Sequence, residues 1–247
     1  MSDGPIIQTV PAASQEETMP PRRRLTAEEA KVITESLIRP LGRYDSARAS
    51  QLSGIPRRTV NYWFQHELLV PDDVDERLWS YRDLVYLRVF AWLRTKKMPP
   101  EVAAAEVREL KKAVIHGVRV TSVRSQGSEL LLGNEAVDRM SGEMVFASIA
   151  PFFAELDLVA ISRSADLEVG RYGGPDLLSP RSRVTIRPWV HSGEPCIRGT
   201  RITTMAVYSL AEDRGLEAKN IVRLYPGTSV RDVREAIDLE TSLRAAA

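Results

Sequence analysis

Cysteine is nearly absent from this chain: Cys196 stands alone among 247 residues. It cannot form an internal disulfide, and there is no second thiol to complete a thiolate zinc cage, a usage that fits a reducing cytoplasm. Long apolar runs are missing too. None approaches the roughly 20 residues a spanning helix needs, and the opening MSDGPIIQTVPAASQEETMPPRRR lacks the continuous apolar stretch of a secretory signal. The sequence reads as soluble and cytoplasmic, with no membrane partner. Histidine is scarce: His66, His116 and His191 follow no ligand spacing, and there is no His-Glu-x-x-His pattern. Neither a metal, a cofactor nor catalysis is expected. Asp83 and Asp232 read as helix-start residues, and no carboxylate stands in an apolar context that would raise its pKa. Net charge is almost nil, 34 Lys and Arg against 33 Asp and Glu, and so points to no partner.

What is present is a succession of short periodic segments. At roughly 150 residues per domain, the length allows one large domain or two to three small ones. Residues 1–25, rich in Pro, Ser and Thr, read as a flexible tail. Thr26 and Glu29 have capping-box spacing and start a helix over about 27–38, which Pro40 ends. DSARASQLSG is a short helix stopped at Gly54, and Pro56 suits the first position of the next, PRRTVNYWFQHELL. Two helices around a Gly-Ile-Pro turn predict a helix-turn-helix. VPDDVDERLWSY has the turn-forming acids and following aromatics of a small β wing. RDLVYLRVFAWLR carries a strongly apolar helical face. In EVAAAEVRELKKAV, Val102, Val107, Leu110 and Val114 make a narrow seam suited to a short dimerisation helix. VRVTSVRSQGSELLL predicts two strands around Gln126-Gly127, with a short helix near 147–156. After RYGGPDLLSPRS, a boundary near Pro180 precedes a strand, RVTIRP, and three helices punctuated at Gly215 and at Pro226-Gly227. The expected fold class is mainly α with small β elements: a winged helix-turn-helix over 26–115, a small α+β connector over 116–180, and a three-helix, helix-turn-helix-like domain over 181–247.

One set of residues suits DNA. Arg57, Arg58, Thr59, Asn61, Tyr62 and Gln65 occupy the first turns of the second helix, where a recognition helix meets the major groove. Arg binds phosphate or guanine, Asn and Gln pair with adenine, and hydroxyls fix the register on the backbone. Arg39, Arg43, Arg48, Arg57 and Arg58 face only Asp45 between residues 39 and 66, so cationic charge concentrates there in an otherwise neutral chain. The plainer alternative is an ordinary surface helix begun by two arginines. Val60, Trp63, Phe64 and Leu68, at helical spacing, read as its buried face.

The stretches YDSARASQLSGIPRRTVNYWFQHELLVP and ERLWSYRDLVYLRVFAWLRTKKMPPEV together resemble the MerR-type winged helix-turn-helix. That resemblance implies that Arg58, Thr59, Asn61 and Tyr62 lie on the DNA-facing helix, with Arg77 and Tyr81 in the wing. Two departures stand out. Asn61 occupies a place where the family usually has arginine, and Asp72, Asp73, Asp75 and Glu76 put repulsive charge in the wing.

Near the C-terminus, GEPCIRGTRIT does not fit a phosphate loop, which needs Lys after the last glycine and a longer spacing. A tight turn framed by Gly193 and Gly199 is the simpler reading. Gly193, Pro195, Ile197 to Ile202, Leu224-Tyr225-Pro226 and Val230 to Ile237 resemble a small domain family of unknown function marked by Gly-x-Pro-x-Ile-x-Gly-Thr-Arg-Ile. Members of that family resemble antitoxins encoded beside PIN-domain ribonucleases. The pairing with a MerR-like reader implies the VapB antitoxin of a VapBC pair. Such a protein binds operator DNA as a homodimer and masks its cognate PIN-type toxin. Arg198, Thr200, Arg201, Arg231 and Arg234 then become candidates for a second DNA contact or for the toxin contact, while Arg231 and Arg234 also read as solvated ion pairs. Two rivals stay open: an effector-responsive MerR-like regulator with a pocket in 116–180, and an adaptor that binds protein through the Val102–Val114 seam.

Overall fold

The computed structural model describes residues 32, 35–95, 97–115, 122–126, 129–133, 155–157 and 174–245. The expected tail, most of the 116–180 connector and the start of the expected first helix lie outside them. The described fold is mainly helical with small β elements.

After a helical turn at 35–38, helix α1 spans Ser46–Ser53. The Asp45 carboxylate accepts from the Arg48 amide at 2.7 Å, and Gly54 closes the helix in the left-handed region at φ 77. Helix α2 spans Arg57–Gln65. Pro56 is its N-cap rather than its first residue, and the helix stops four residues short of the expected end. His66 caps it, Glu67 turns to φ 53, and the Leu68 and Leu69 amides fold back onto the Trp63 carbonyl. The 72–79 segment is only a minimal hairpin, with single bridges from Asp73 to Leu78 and from Tyr44 to Trp79.

Helix α3, Tyr81–Thr95, departs furthest from expectation. It is buried on every side from Tyr81 to Leu93, Arg82, Asp83 and Arg88 included. Ser80 and Asp83 start it with a reciprocal capping box: the Ser80 amide donates to Asp83 Oδ2 at 2.9 Å, and the Asp83 amide to Ser80 Oγ at 3.2 Å. Helix α4, Pro100–Ile115, packs along α3 and buries Ala103, Ala104, Val107 and Leu110. Val107 and Leu110 of the seam expected to pair two copies are therefore covered by the chain's own core, with Val102 partly buried against it, which takes away part of the surface the adaptor reading needs.

Strands β1, Ser122–Gln126, and β2, Glu129–Gly133, are the two strands the sequence predicts and pair antiparallel, but Gln126, expected in the turn, ends β1 opposite Glu129. Strand β3, Glu155–Asp157, adds to the other edge of β1, so Glu155 and Leu156 are extended where a helix was expected.

The boundary expected near Pro180 does not separate two cores. Leu177, Leu178, Val184 and Ile186 join the core built on α3, as do Leu239 and Leu243 from the last helix. Strands β4, Val184–Thr185, and β5, Cys196–Ile197, form a two-stranded sheet. Helices α5, Thr204–Glu212, α6, Ala218–Leu224, and α7, Val230–Ala245, follow with the predicted punctuation. Ser229 and Asp232 form a second capping box at the start of α7. A much smaller core of Ile197, Val207, Ile221, Val233 and Ala236 holds these helices together.

The joint between the two parts is tight. His191, Ser192 and Gly193 are consecutive left-handed residues at φ 46, 55 and 87. Here the Arg43 amide donates to the Ser192 carbonyl at 2.8 Å and the Tyr44 hydroxyl to the Gly193 carbonyl at 2.8 Å. A Cβ on Gly193 would overlap the Tyr44 hydroxyl. Gly193→Ala is expected to cost about 2–4 kcal/mol from left-handed strain plus overpacking, read as a lower urea midpoint. An unchanged midpoint would show that the loop gives way.

Candidate nucleic-acid interface

Helix α2 has two unlike faces. Val60 and Trp63 are buried, with the Trp63 ring edge-on to Phe90 at 4.5 Å between centroids. Arg57, Arg58, Tyr62 and Gln65 are exposed, and Thr59 and Asn61 half-buried. Arg57, Asn61 and Gln65, four residues apart, form one row along an open groove of about 440 Å³ that also touches Phe64, Arg77, Glu76, Asp45 and Ser46. No carboxylate in the described residues pairs with Arg57 or Arg58, which leaves both guanidinium groups available to an external anion. Tyr62 is 51 % exposed and its ring lies 4.2 Å from that of His66, a neighbour the sequence did not single out.

The hairpin is less anionic than its sequence suggests. Asp72 turns inward to Arg82, with bonds of 2.8 Å to each of its oxygens, and to Lys111 at 2.7 Å. Burial alone would raise this carboxyl, but the bonds from Arg82, Lys111 and Ser80 hold it well below the usual carboxylate range. Asp73 and Glu76 are met by Arg43, at 3.5 and 2.5 Å. Arg43 is thus a counter-ion for the hairpin rather than the free cation expected. The Arg77 guanidinium lies over the Phe64 ring, 5.2 Å from its centroid.

Tyr81 is not a surface residue. It is fully buried and donates its hydroxyl to the Leu177 carbonyl at 3.2 Å, because the first turn of α3 points into the core. Asp83 corrects a second expectation: burial raises its carboxyl, partly offset by Lys111 at 2.9 Å, so one acid does sit in an apolar setting.

Arg48 also leaves the cationic patch, since it faces inward. It binds Glu240 at 2.8 and 2.9 Å and Glu194 at 2.8 and 3.0 Å, and Glu240 takes a further hydrogen bond from Thr204. Burial opposes its charge, yet the bonds to Glu240 and Glu194 raise its pKa. Arg88, buried and lowered to about 10 by desolvation, donates to the Ser53 and Leu52 carbonyls at the end of α1 and to the Pro175 carbonyl. Of the five arginines counted between residues 39 and 66, Arg39, Arg57 and Arg58 remain exposed without an ion pair among the described residues.

In the C-terminal part, Thr200 is a turn-former: its hydroxyl donates to the Ile197 carbonyl and accepts from the Ile202 amide, so it is not free for a partner. Arg198 donates to the Ser182 carbonyl at 3.0 Å and stays exposed; Arg201 is exposed beside it. Arg231 pairs with Glu235 one turn on, at 3.2 Å, which is the solvated pair the sequence allowed, whereas Arg234 has no such partner among the described residues. Among the described residues, no cluster of His, Cys, Asp and Glu is placed to hold a metal, and no helix is long and apolar enough to cross a membrane.

Residues 184–238 match the model of a family described as "Protein of unknown function (DUF433)". The matched segment runs from β4 into α7 and ends just before Leu239 and Leu243, which join the α3 core, and Glu240, which binds Arg48 of α1. No curated protein and no solved structure matches the chain.

Proposed function

We propose that this chain is a DNA-binding antitoxin of the VapB type. In this reading α1, α2 and the 72–79 hairpin form a MerR-like winged helix-turn-helix, α2 enters the major groove of the operator, and the C-terminal part masks a cognate PIN-type ribonuclease. The observation that carries it is the exposed set of Arg57, Arg58, Tyr62 and Gln65, with neither arginine paired to a carboxylate among the described residues, on a helix whose opposite face is locked into the core by Val60 and Trp63. A rigid helix with uncompensated cations and amide side chains is what groove recognition asks for. Base reading falls to Arg57, Asn61 and Gln65 along the groove, and phosphate contact to Arg58 and Tyr62. Arg198 and Arg201 are the cations offered to the toxin.

Duplex from upstream of the gene should be retarded by the purified chain, with log affinity falling linearly in log salt. Co-expression with the adjacent gene should yield a complex that copurifies. Recovery of the two proteins separately would remove the toxin half of the proposal, and salt-independent or absent retardation the DNA half.

Arg43→Ala gives a finer check. It uncovers Asp73 and Glu76 near the duplex, and is expected to weaken binding by about 0.5–1 kcal/mol at low salt, less at high salt. Combining it with Asp73→Asn and Glu76→Gln should restore affinity. A loss that persists in the neutralised hairpin would instead make Arg43 a direct phosphate ligand.

A further inference from the structure

A cavity of about 60 Å³ lies between the turn that follows α2, the end of the hairpin, and helices α3 and α4. Leu68, Leu69, Val70, Trp79 and Val107 give it a mainly apolar wall, to which α3 adds Tyr86. Tyr86 is 3 % exposed, and its hydroxyl is the buried side-chain polar atom left without a hydrogen-bond partner among the described residues. Burial raises its pKa, so the group is a neutral hydroxyl. Burying a hydroxyl without a partner is costly, and folded proteins rarely do so without a reason.

The charges around the cavity cancel. Glu67 and Asp83 are matched in number by Arg108 and Lys111. Lys111 is held by Asp72 at 2.7 Å and by Asp83 at 2.9 Å, and Asp72 is in turn met by Arg82 at 2.8 Å. Arg108 donates to the Glu67 carbonyl at 3.3 Å. A charged guest would lose its hydration against an apolar wall without gaining a free counter-ion. Space also limits the guest. One enclosed water needs about 10–15 Å³, so this volume holds about four non-hydrogen atoms.

We propose that this cavity binds a small uncharged organic molecule of the size of a short-chain alcohol, with its oxygen on the Tyr86 hydroxyl and its carbon chain against Leu68, Trp79 and Val107. A phenolic hydroxyl can donate and accept, so an alcohol or carbonyl oxygen satisfies it. A hydrocarbon would leave it unpaired. Water would pair with it but would leave the apolar wall wet. The residues of the site fall between 67 and 111, outside the 116–180 stretch. The inference is independent of DNA or toxin binding.

Titration of the isotope-labelled full chain with propanol, followed by backbone amide chemical shifts, tests it. Saturable shifts at Leu68, Leu69 and Lys111 are expected, with a dissociation constant on the order of millimolar because so few atoms make contact. Acetate and propylammonium, of similar size but charged, should give no saturable shift. Tyr86→Phe should weaken propanol binding roughly fivefold and, by removing an unpaired hydroxyl, should keep or raise the urea midpoint. Val107→Leu, which fills part of the space, should weaken binding as well. Shifts that never saturate, saturable binding of either ion, or a Tyr86→Phe variant that binds propanol as tightly as the wild type each overturn the proposal. A lower urea midpoint for Tyr86→Phe would show that the hydroxyl already has a partner, and equally overturns it.

Discussion

Arg48→Met is expected to lower folding stability by about 3–5 kcal/mol, because it leaves buried carboxylate charge uncompensated. Glu240 has no exposed surface and Glu194 is 28 % exposed at the side chain, so water can rescue the second far better than the first. The Thr204 hydroxyl offers Glu240 only a single neutral donor. Pairing the change with Glu240→Leu should recover much of the loss, since a buried ion pair exchanged for apolar groups of similar volume is often near neutral. Urea unfolding monitored both at Trp63 in α2 and at the C-terminal helices checks this. The shared core further predicts one coincident transition for the wild type, because α7 contributes Leu239 and Leu243 to the core that holds α1 and α3. Two separated transitions, or an Arg48→Met variant as stable as wild type, would mean that the bonds between α1 and α7 carry little of the fold.

The second large effect concerns binding. Arg57→Ala and Arg58→Ala should each weaken duplex binding by about 1–3 kcal/mol while altering folding by less than about 0.5 kcal/mol, since both side chains are exposed and unpaired among the described residues. The two should differ in kind. If Arg58 contacts phosphate, its loss lowers the slope of log affinity against log salt by about 1 and weakens all sequences alike. If Arg57 reads a base edge from the groove, its loss relaxes preference at one position of the site and leaves the slope nearly unchanged. Fluorescence anisotropy with the native and scrambled duplexes separates these outcomes. Unaltered affinity in the double variant would detach α2 from the DNA.

Local chemistry made much of the architecture legible. Asp45 and Gly54 bound α1, Ser229 and Asp232 start α7, and Gly215 and Pro226-Gly227 divide the last helices, each through a backbone preference acting within a few residues. What escaped was decided over long distances. Arg48 and Glu240 are separated by 192 positions, so nothing near Arg48 marks it as buried rather than DNA-facing. Arg82, Asp83 and Arg88 gave α3 the look of a one-sided helix, although each is neutralised or hydrogen-bonded inside the core by Asp72, Lys111 or the carbonyls ending α1. The narrow apolar stripe of α4 is equally suited to another chain or to α3, and periodicity alone does not choose between them. Tyr81 followed from its place in a motif, whereas its burial follows from Leu177, 96 positions further on near the end of the connector. The exposed residues of α2 were found because amphipathic spacing sorts a helix into faces even when its surroundings are unknown.

The most direct test is photo-crosslinking with a benzophenone side chain at position 62, exposed on α2, and at position 112, exposed on α4. With native duplex, crosslinks to DNA from position 62 and none from position 112 are expected, and scrambled duplex should compete poorly. Crosslinks from position 112 alone, or none from position 62 while the duplex is still retarded, would contradict recognition by α2.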